Sequence, residues 1–183
     1  MRLALTLVLA LPAQAESYLS MQERRPDLFH PDTGMRIARQ RAPTPEDIPG
    51  PARTVDAVEA RRMIEAGALA LDVAAAAQSR YDELDGTWLV SEERLSLPGA
   101  VWLPEVGRGV LDERMQAYLA RNLPGAPSDI VVFCIADCWM SWNAAQRVAA
   151  LGHAVGWFRL GTDGWSEMGW PLERVDPVPV DLR

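Results

Sequence analysis

The sequence predicts an α/β domain with a mostly parallel central sheet and helices on both faces. Three observations predict it. Short apolar runs recur at strand length: Ala68 to Val73, Ile130 to Phe133 and Ala154 to Leu160. Runs apolar on both sides of the pleat belong to strands covered on both faces. Between them lie segments with helix caps at one end and a glycine or proline stop at the other. The chain of 183 residues is 49% hydrophobic, enough for one domain with a substantial core.

The elements follow in order. Residues 1–15 read as an export signal: Arg2, an apolar run from Leu3 to Leu11, then Ala13-Gln14-Ala15 as a cleavage site. That run is too short to span a bilayer, and no cysteine follows the cleavage site, so no membrane anchor is expected. The mature chain then starts at Glu16 and works in the periplasm. Residues 16–52, rich in Pro, Arg, Asp and Gly, read as an extended arm, ordered where Gly34-Met35-Arg36-Ile37-Ala38 packs on the domain. The domain proper spans 53–183. Asp56 caps a helix from Ala57 to Ala66, ended by Gly67, and the strand 68–73 follows. The polar stretch 74–97 is expected to be an irregular insertion. Val101-Trp102-Leu103 reads as a strand stopped by Pro104, and Asp112 caps a helix through Leu123. The strand 130–133 leads into a cysteine-containing loop, a helix to Leu151, the strand 154–160 and a short helix opening at Asp163.

Composition excludes several functions. The formal net charge of -7 argues against nucleic acid or an anionic membrane as partner. All 18 basic residues other than histidine are Arg, so Schiff-base chemistry and a P-loop lysine are absent.

Both cysteines lie in Cys134-Ile135-Ala136-Asp137-Cys138-Trp139, directly after an apolar strand and before a helix. Sites in parallel sheets lie beyond the carboxyl ends of the strands, where Cys134 falls. A sulfur over the first turn of a helix meets unpaired N–H groups and the positive end of the dipole, which stabilise a thiolate. Three readings stay open. Cys134 attacks a disulfide, persulfide or sulfenate on a partner and Cys138 resolves it; two thiolates hold a soft metal such as Cu(I); or the pair is a static disulfide. Asp137 raises the Cys134 pKa while the helix dipole lowers it.

On the helical wheel Ser141, Ala144, Ala145, Val148 and Gly152 form a face of small residues that packs on the sheet. Trp139 points nearly opposite and Trp142 lies on the flank, which suggests either a docking surface or a face covered by the arm or by the 74–97 insertion. With Asp137 and Ser141 they are the candidate binding residues. Trp102, Trp157, Trp165 and Trp170 are assigned to the core or its margins. His30 and His153 are read as surface or helix-end residues, and Asp72 as ordering the 74–97 segment. Arg80, Arg94 and Arg108 are the cations within reach of the cysteine loop.

These landmarks, in this order, resemble the rhodanese fold: Leu71-Asp72-Val73, Leu97-Pro98-Gly99-Ala100, Val131-Val132-Phe133-Cys134, Asn143-Ala144-Ala145 and Leu160-Gly161-Thr162-Asp163-Gly164-Trp165 with Gly169 and Pro171. The resemblance implies that Cys134 is the catalytic cysteine, which carries a persulfide in sulfur transfer. A closer resemblance is to exported rhodanese-like proteins associated with PQQ-dependent alcohol catabolism and named for a CXXCW motif. It rests on Phe133-Cys134, Ala136 through Ala145, Pro98 through Pro104 with Val106-Gly107, and Gly161 through Trp165. It implies an accessory role beside a periplasmic PQQ-dependent dehydrogenase system, with a periplasmic protein as partner. No cofactor or metal resident in this chain is implied.

The departures matter. Trp139 stands where a rhodanese has Arg, Ser141 falls one residue late, and the loop is one residue longer, as in the phosphatase relatives of the fold. Met140 stands where those relatives carry their Arg, and Ala74 replaces the Arg that follows Asp-Val. With no basic side chain between Cys134 and Asn143, a dianion finds no guanidinium there, and thiosulfate transfer and phosphatase chemistry both lose ground.

Overall fold

The computed structural model describes residues 16–76 and 78–182, so the expected export signal lies outside the described residues. Five parallel strands form the central sheet in the order β1-β6-β5-β2-β4, where β1 is Arg53–Val55, β2 Leu69–Asp72, β4 Val101–Trp102, β5 Asp129–Phe133 and β6 Ala154–Phe158. β5 lies at the centre, with Ile130 opposite Leu69 on one side and Val155 on the other. The expected α/β architecture is therefore present. A two-stranded antiparallel ribbon pairs β3 (Arg94–Ser96) with β7 (Glu173–Val175).

Side chains alternate across the pleat and divide the core in two. Ile130, Val132, Val155 and Trp157 face one layer with α3 (Glu113–Arg121) and α4 (Trp139–Ala150), whereas Val131, Phe133 and Phe158 face α2 (Ala57–Glu65) and α5 (Gly161–Glu167). Asp56 and Asp112 cap α2 and α3 as expected, accepting from the N–H groups of Glu59 and Met115 at 2.8 Å each. Ser141, Ala144, Ala145 and Val148 of α4 are buried, and their small size lets the helix approach the sheet closely. Trp102, Trp157 and Trp165 are buried and Trp170 packs at the margin, as expected.

Two segments differ from the sequence reading. The arm contains a helix, α1 (Tyr18–Arg24), capped by Ser17, followed by one 3-10 turn over Pro26–Leu28. Leu28, Phe29 and Ala52 of the arm belong to the larger core cluster. The 74–97 segment is irregular up to Glu93 and then forms β3, whose partner β7 lies far along the chain. Trp88 anchors the irregular part: it is buried, and its indole N–H donates to the carbonyl of Val178 at 3.0 Å.

Asp72 fixes the start of that segment. Its buried carboxylate accepts from Arg94 Nε (2.7 Å) and Nη2 (2.9 Å), Ser96 Oγ (2.6 Å) and the Ala74 N–H (2.9 Å). Burial pushes the Asp72 carboxyl up, and these donors oppose the shift. Asp72 thus orders the segment, as expected. Replacing Asp72 by Ala leaves Arg94 without a carboxylate in a largely buried position. We predict that Asp72→Ala lowers unfolding stability by about 3–5 kcal/mol in a urea titration.

Candidate functional site

The cysteine loop begins where β5 ends, between β2 and β6, at the carboxyl edge of the sheet. Cys134 and Cys138 lie at disulfide distance, with Cα atoms 6.2 Å apart. The three intervening residues turn the chain back, and Asp137 adopts the left-handed region at φ 54°. Asp tolerates that region better than a branched residue does, which explains an acid at the tip without assigning it chemistry. Both sulfur-bearing residues are buried, Cys134 being 2% exposed and Cys138 6%.

Two structures hold the loop from opposite sides. From the α5 side, Ile135 bridges Gly161, the Cys134 carbonyl accepts from the Thr162 N–H (3.0 Å), and the Asp163 carboxylate accepts from the Ala136 N–H (2.9 Å). Gly161 is required here. Its φ is 54°, and a Cβ there would lie 2.3 Å from the Cys134 carbonyl oxygen. From the other side, Arg41 of the arm bridges Cys138, the Ala42 N–H donates to the Asp137 carbonyl (3.0 Å), and the Trp139 N–H donates to the Gln40 carbonyl (2.9 Å). The Ala136 and Trp139 N–H groups are thus already committed within the protein.

Trp139 and Trp142 are 0% and 1% exposed, so the docking-surface reading gives way to the covered-face one. The arm covers them because it satisfies both indole donors. Trp139 Nε1 donates to the Pro43 carbonyl and Trp142 Nε1 to that of Asp47, each at 3.1 Å. Phe29 meets Trp139 edge-on, with ring centroids 5.6 Å apart, and Tyr18 packs on Trp142 at 5.8 Å. Ser141 is likewise buried: its hydroxyl donates to the Cys138 carbonyl (2.9 Å) and accepts from Trp157 Nε1 (3.0 Å). It therefore holds the first turn of α4 in place, with no free hydroxyl for a ligand. Asp137 is the partly exposed member of the candidate set.

Two of the three cations expected within reach of the loop have carboxylate partners. Arg94 pairs with Asp72, and Arg108 pairs with Glu105 while donating to Gln40 Oε1 (2.9 Å) and Ser79 Oγ (2.8 Å). Arg80 lines a surface cleft with Tyr81, Glu83 and Leu89. A different arginine takes the central place: Arg36 is buried, its guanidinium 4.5 Å from the Trp139 ring centroid and 5.0 Å from that of Phe29. Burial lowers its pKa. The quartet Gly-Met-Arg-Ile marked this stretch as packing on the domain, but nothing in sequence linked Arg36 to Trp139, over a hundred positions on.

Asn143, which belongs to the Asn143-Ala144-Ala145 landmark, joins three segments. Its carboxamide oxygen accepts from the Arg36 N–H (2.9 Å), and its NH2 donates to the carbonyls of Arg36 (2.9 Å) and Gly107 (2.8 Å). Its side chain is fully buried. Gly107 approaches α4 so closely that a Cβ would lie 2.3 Å from the Met140 carbonyl oxygen. His30 and His153 lie away from the loop: His30 Nδ1 accepts from the Asp32 N–H (3.2 Å) and His153 Nδ1 from that of Ser128 (3.3 Å). Among the described residues, no three His, Cys, Asp or Glu side chains gather into a metal-binding group, and no helix is long and apolar enough to cross a membrane.

No protein-family model matches the chain. No curated protein matches it significantly. Among solved structures it is similar to a thiosulfate sulfurtransferase from Pseudomonas aeruginosa, at 21% identity and a TM-score of 0.46, over 68% of this chain and 20% of that one. This chain thus spans about one fifth of that protein's length.

Two predictions follow from this geometry. Asn143→Ala should lower stability by about 2–4 kcal/mol, because it leaves buried Arg36 and Gly107 backbone groups unpaired; chemical unfolding measures the loss. Purified protein should transfer no sulfur from thiosulfate to cyanide above the level of its Cys134→Ser variant, as read by thiocyanate formation.

Proposed function

We propose that this chain is an exported, rhodanese-like accessory protein whose Cys134–Cys138 pair exchanges between disulfide and dithiol. The observation that carries the reading is the placement of two sulfurs at disulfide distance in a loop beyond the carboxyl end of the central strand. The loop's lack of a cation, and the commitment of its Ala136 and Trp139 N–H groups, favour this over oxyanion chemistry.

The step balances with a partner dithiol as reductant. One partner thiolate attacks Cys134 Sγ, the Cys134–Cys138 bond breaks, and Cys138 leaves as a thiolate that takes a proton. The partner's second thiol attacks the mixed disulfide and closes the partner's own disulfide, and Cys134 leaves and is protonated. The partner loses two electrons and two protons, and the cysteine pair gains them. Run in reverse, Cys134 attacks a partner disulfide and Cys138 resolves it. Because both cysteines are buried, the arm segment Gln40–Ala42 has to lift for the partner to reach them.

A second reading has its own support. Burial of both sulfurs between two backbone straps also suits a static staple. Equilibration in dithiol redox buffers, followed by alkylation and mass analysis, separates the two. Exchange chemistry predicts a reduction potential above about -300 mV and a trapped mixed disulfide on Cys134 in Cys138→Ser. A pair still oxidised below about -300 mV overturns it in favour of the staple. A Cu(I) ion bound by the reduced pair and lost in Cys138→Ser would assign the chain to the metal-binding accessory reading instead.

The export signal and the CXXCW resemblance support a place beside periplasmic PQQ-dependent alcohol oxidation. Intact mass of the periplasmic form should begin at Glu16, and disruption of the gene should slow PQQ-dependent alcohol oxidation by periplasmic extracts. An uncut cytoplasmic chain, or unchanged oxidation, would remove that placement.

A further inference from the structure

A second concavity lies away from the cysteines, where the arm crosses the C-terminal half of α4 and faces α3. Its volume is about 390 Å³, within the range of small-molecule sites. Met35 of the arm, Leu119 of α3, Leu151 at the end of α4 and Val110 supply apolar walls. Val110 and Leu151 are 65% and 53% exposed, so this edge presents uncovered hydrophobic surface.

The polar side is one-signed. In a chain of 25 acids and 18 arginines, the only ionisable groups lining this cleft are His30 and Arg147. Arg147 is held by carbonyls, its Nη1 donating to Val106 (3.2 Å) and its Nη2 to Gly109 (2.8 Å), and among the described residues no carboxylate pairs with it. Burial lowers its pKa to about 10, the cost of an unpaired cation away from water. An arginine has five N–H donors in a fork that fits a carboxylate, so two bonds leave others unspent. His30 accepts at Nδ1 from the Asp32 N–H, which leaves Nε2 as a further donor.

We propose that this cleft binds a small amphiphilic monocarboxylate, its carboxylate on Arg147 with His30 beside it and its hydrocarbon tail along Val110, Leu119 and Leu151. A single negative charge matches the partly buried Arg147, and an apolar body matches the walls. A neutral ligand would leave Arg147 unpaired, and a small hydrophilic anion would leave the apolar walls wet. The site does not depend on the redox reading of the cysteine pair.

The test is calorimetric titration of the intact chain with octanoate, with octan-1-ol and acetate as the uncharged and tailless controls. Octanoate should bind saturably with a Kd of about 1 mM or tighter, and each control at least about tenfold more weakly. Arg147→Gln should weaken octanoate at least about tenfold. Because Arg147 also ties down the 106–109 loop, Ala120→Trp gives a second route: Ala120 is on the exposed side of α3 at the cleft, where an indole blocks the tail without touching the core. It should weaken octanoate by at least as much. No saturable octanoate binding, equal affinity for octan-1-ol, or undiminished binding in Ala120→Trp would each overturn the proposal.

Discussion

The backbone N–H of Trp139 donates to the carbonyl of Gln40, and the Ala42 N–H donates to the carbonyl of Asp137. Through these two bonds the arm closes over the first turn of α4 and the tip of the cysteine loop together. Much of the site follows from that contact. The first turn of a helix has N–H groups with no intrahelical partner, and an anion or a side chain ordinarily takes them. Here a neighbouring main chain takes the Trp139 donor and so occupies ground where a bound anion would sit. Once the arm lies there, two indole donors find carbonyl partners in Pro43 and Asp47, and two large rings become core. Arg36 then stacks on Trp139, and Asn143 locks the backbone of Arg36 beside Gly107.

The chemistry of the loop is set by what surrounds it. The loop itself carries no basic side chain; Arg41, which bridges Cys138, comes from the arm, and the acids Asp137 and Asp163 lie in the loop and its support. With its Ala136 N–H bonded to Asp163 and the neighbouring Trp139 N–H bonded to the arm, the loop offers fewer donors to a sulfate-like anion. The arm thus performs two tasks that the sequence separates by a hundred residues. It completes the hydrophobic layer over α4 and decides which ligands can approach the cysteines.

How much of this was legible in the sequence depended on the range of the interaction. β2, β5 and β6, the α2 and α3 caps and the small-residue face of α4 were readable because each is dictated by neighbours within a few positions. β1, β3 and β7 are three residues each, too short to show a period, and β3 and β7 exist only because each finds the other. The place of the cysteine loop beyond the end of a buried strand was readable, because the apolar run before it is continuous in sequence. The fate of Trp139 and Trp142 was not, because a helical wheel shows which way a side chain points and not what another segment lays upon it. Asn143 and Arg36 stand in recognisable sequence motifs, yet their roles come from hydrogen bonds and stacking across the fold. The arginines chosen as stand-in cations are nearer in sequence to acids that claim them, Arg94 to Asp72 and Arg108 to Glu105.

The most direct test of the account is native-state hydrogen exchange of the oxidised protein, resolved to single amides. If the arm closes the loop as described, the N–H groups of Arg36, Ala42 and Trp139 should exchange about as slowly as those of β5, within roughly tenfold. Exchange of all three near the rate of an unstructured chain would contradict it. The arm would then leave the α4 N-terminus open, and the cysteine loop would be free to meet an anion after all.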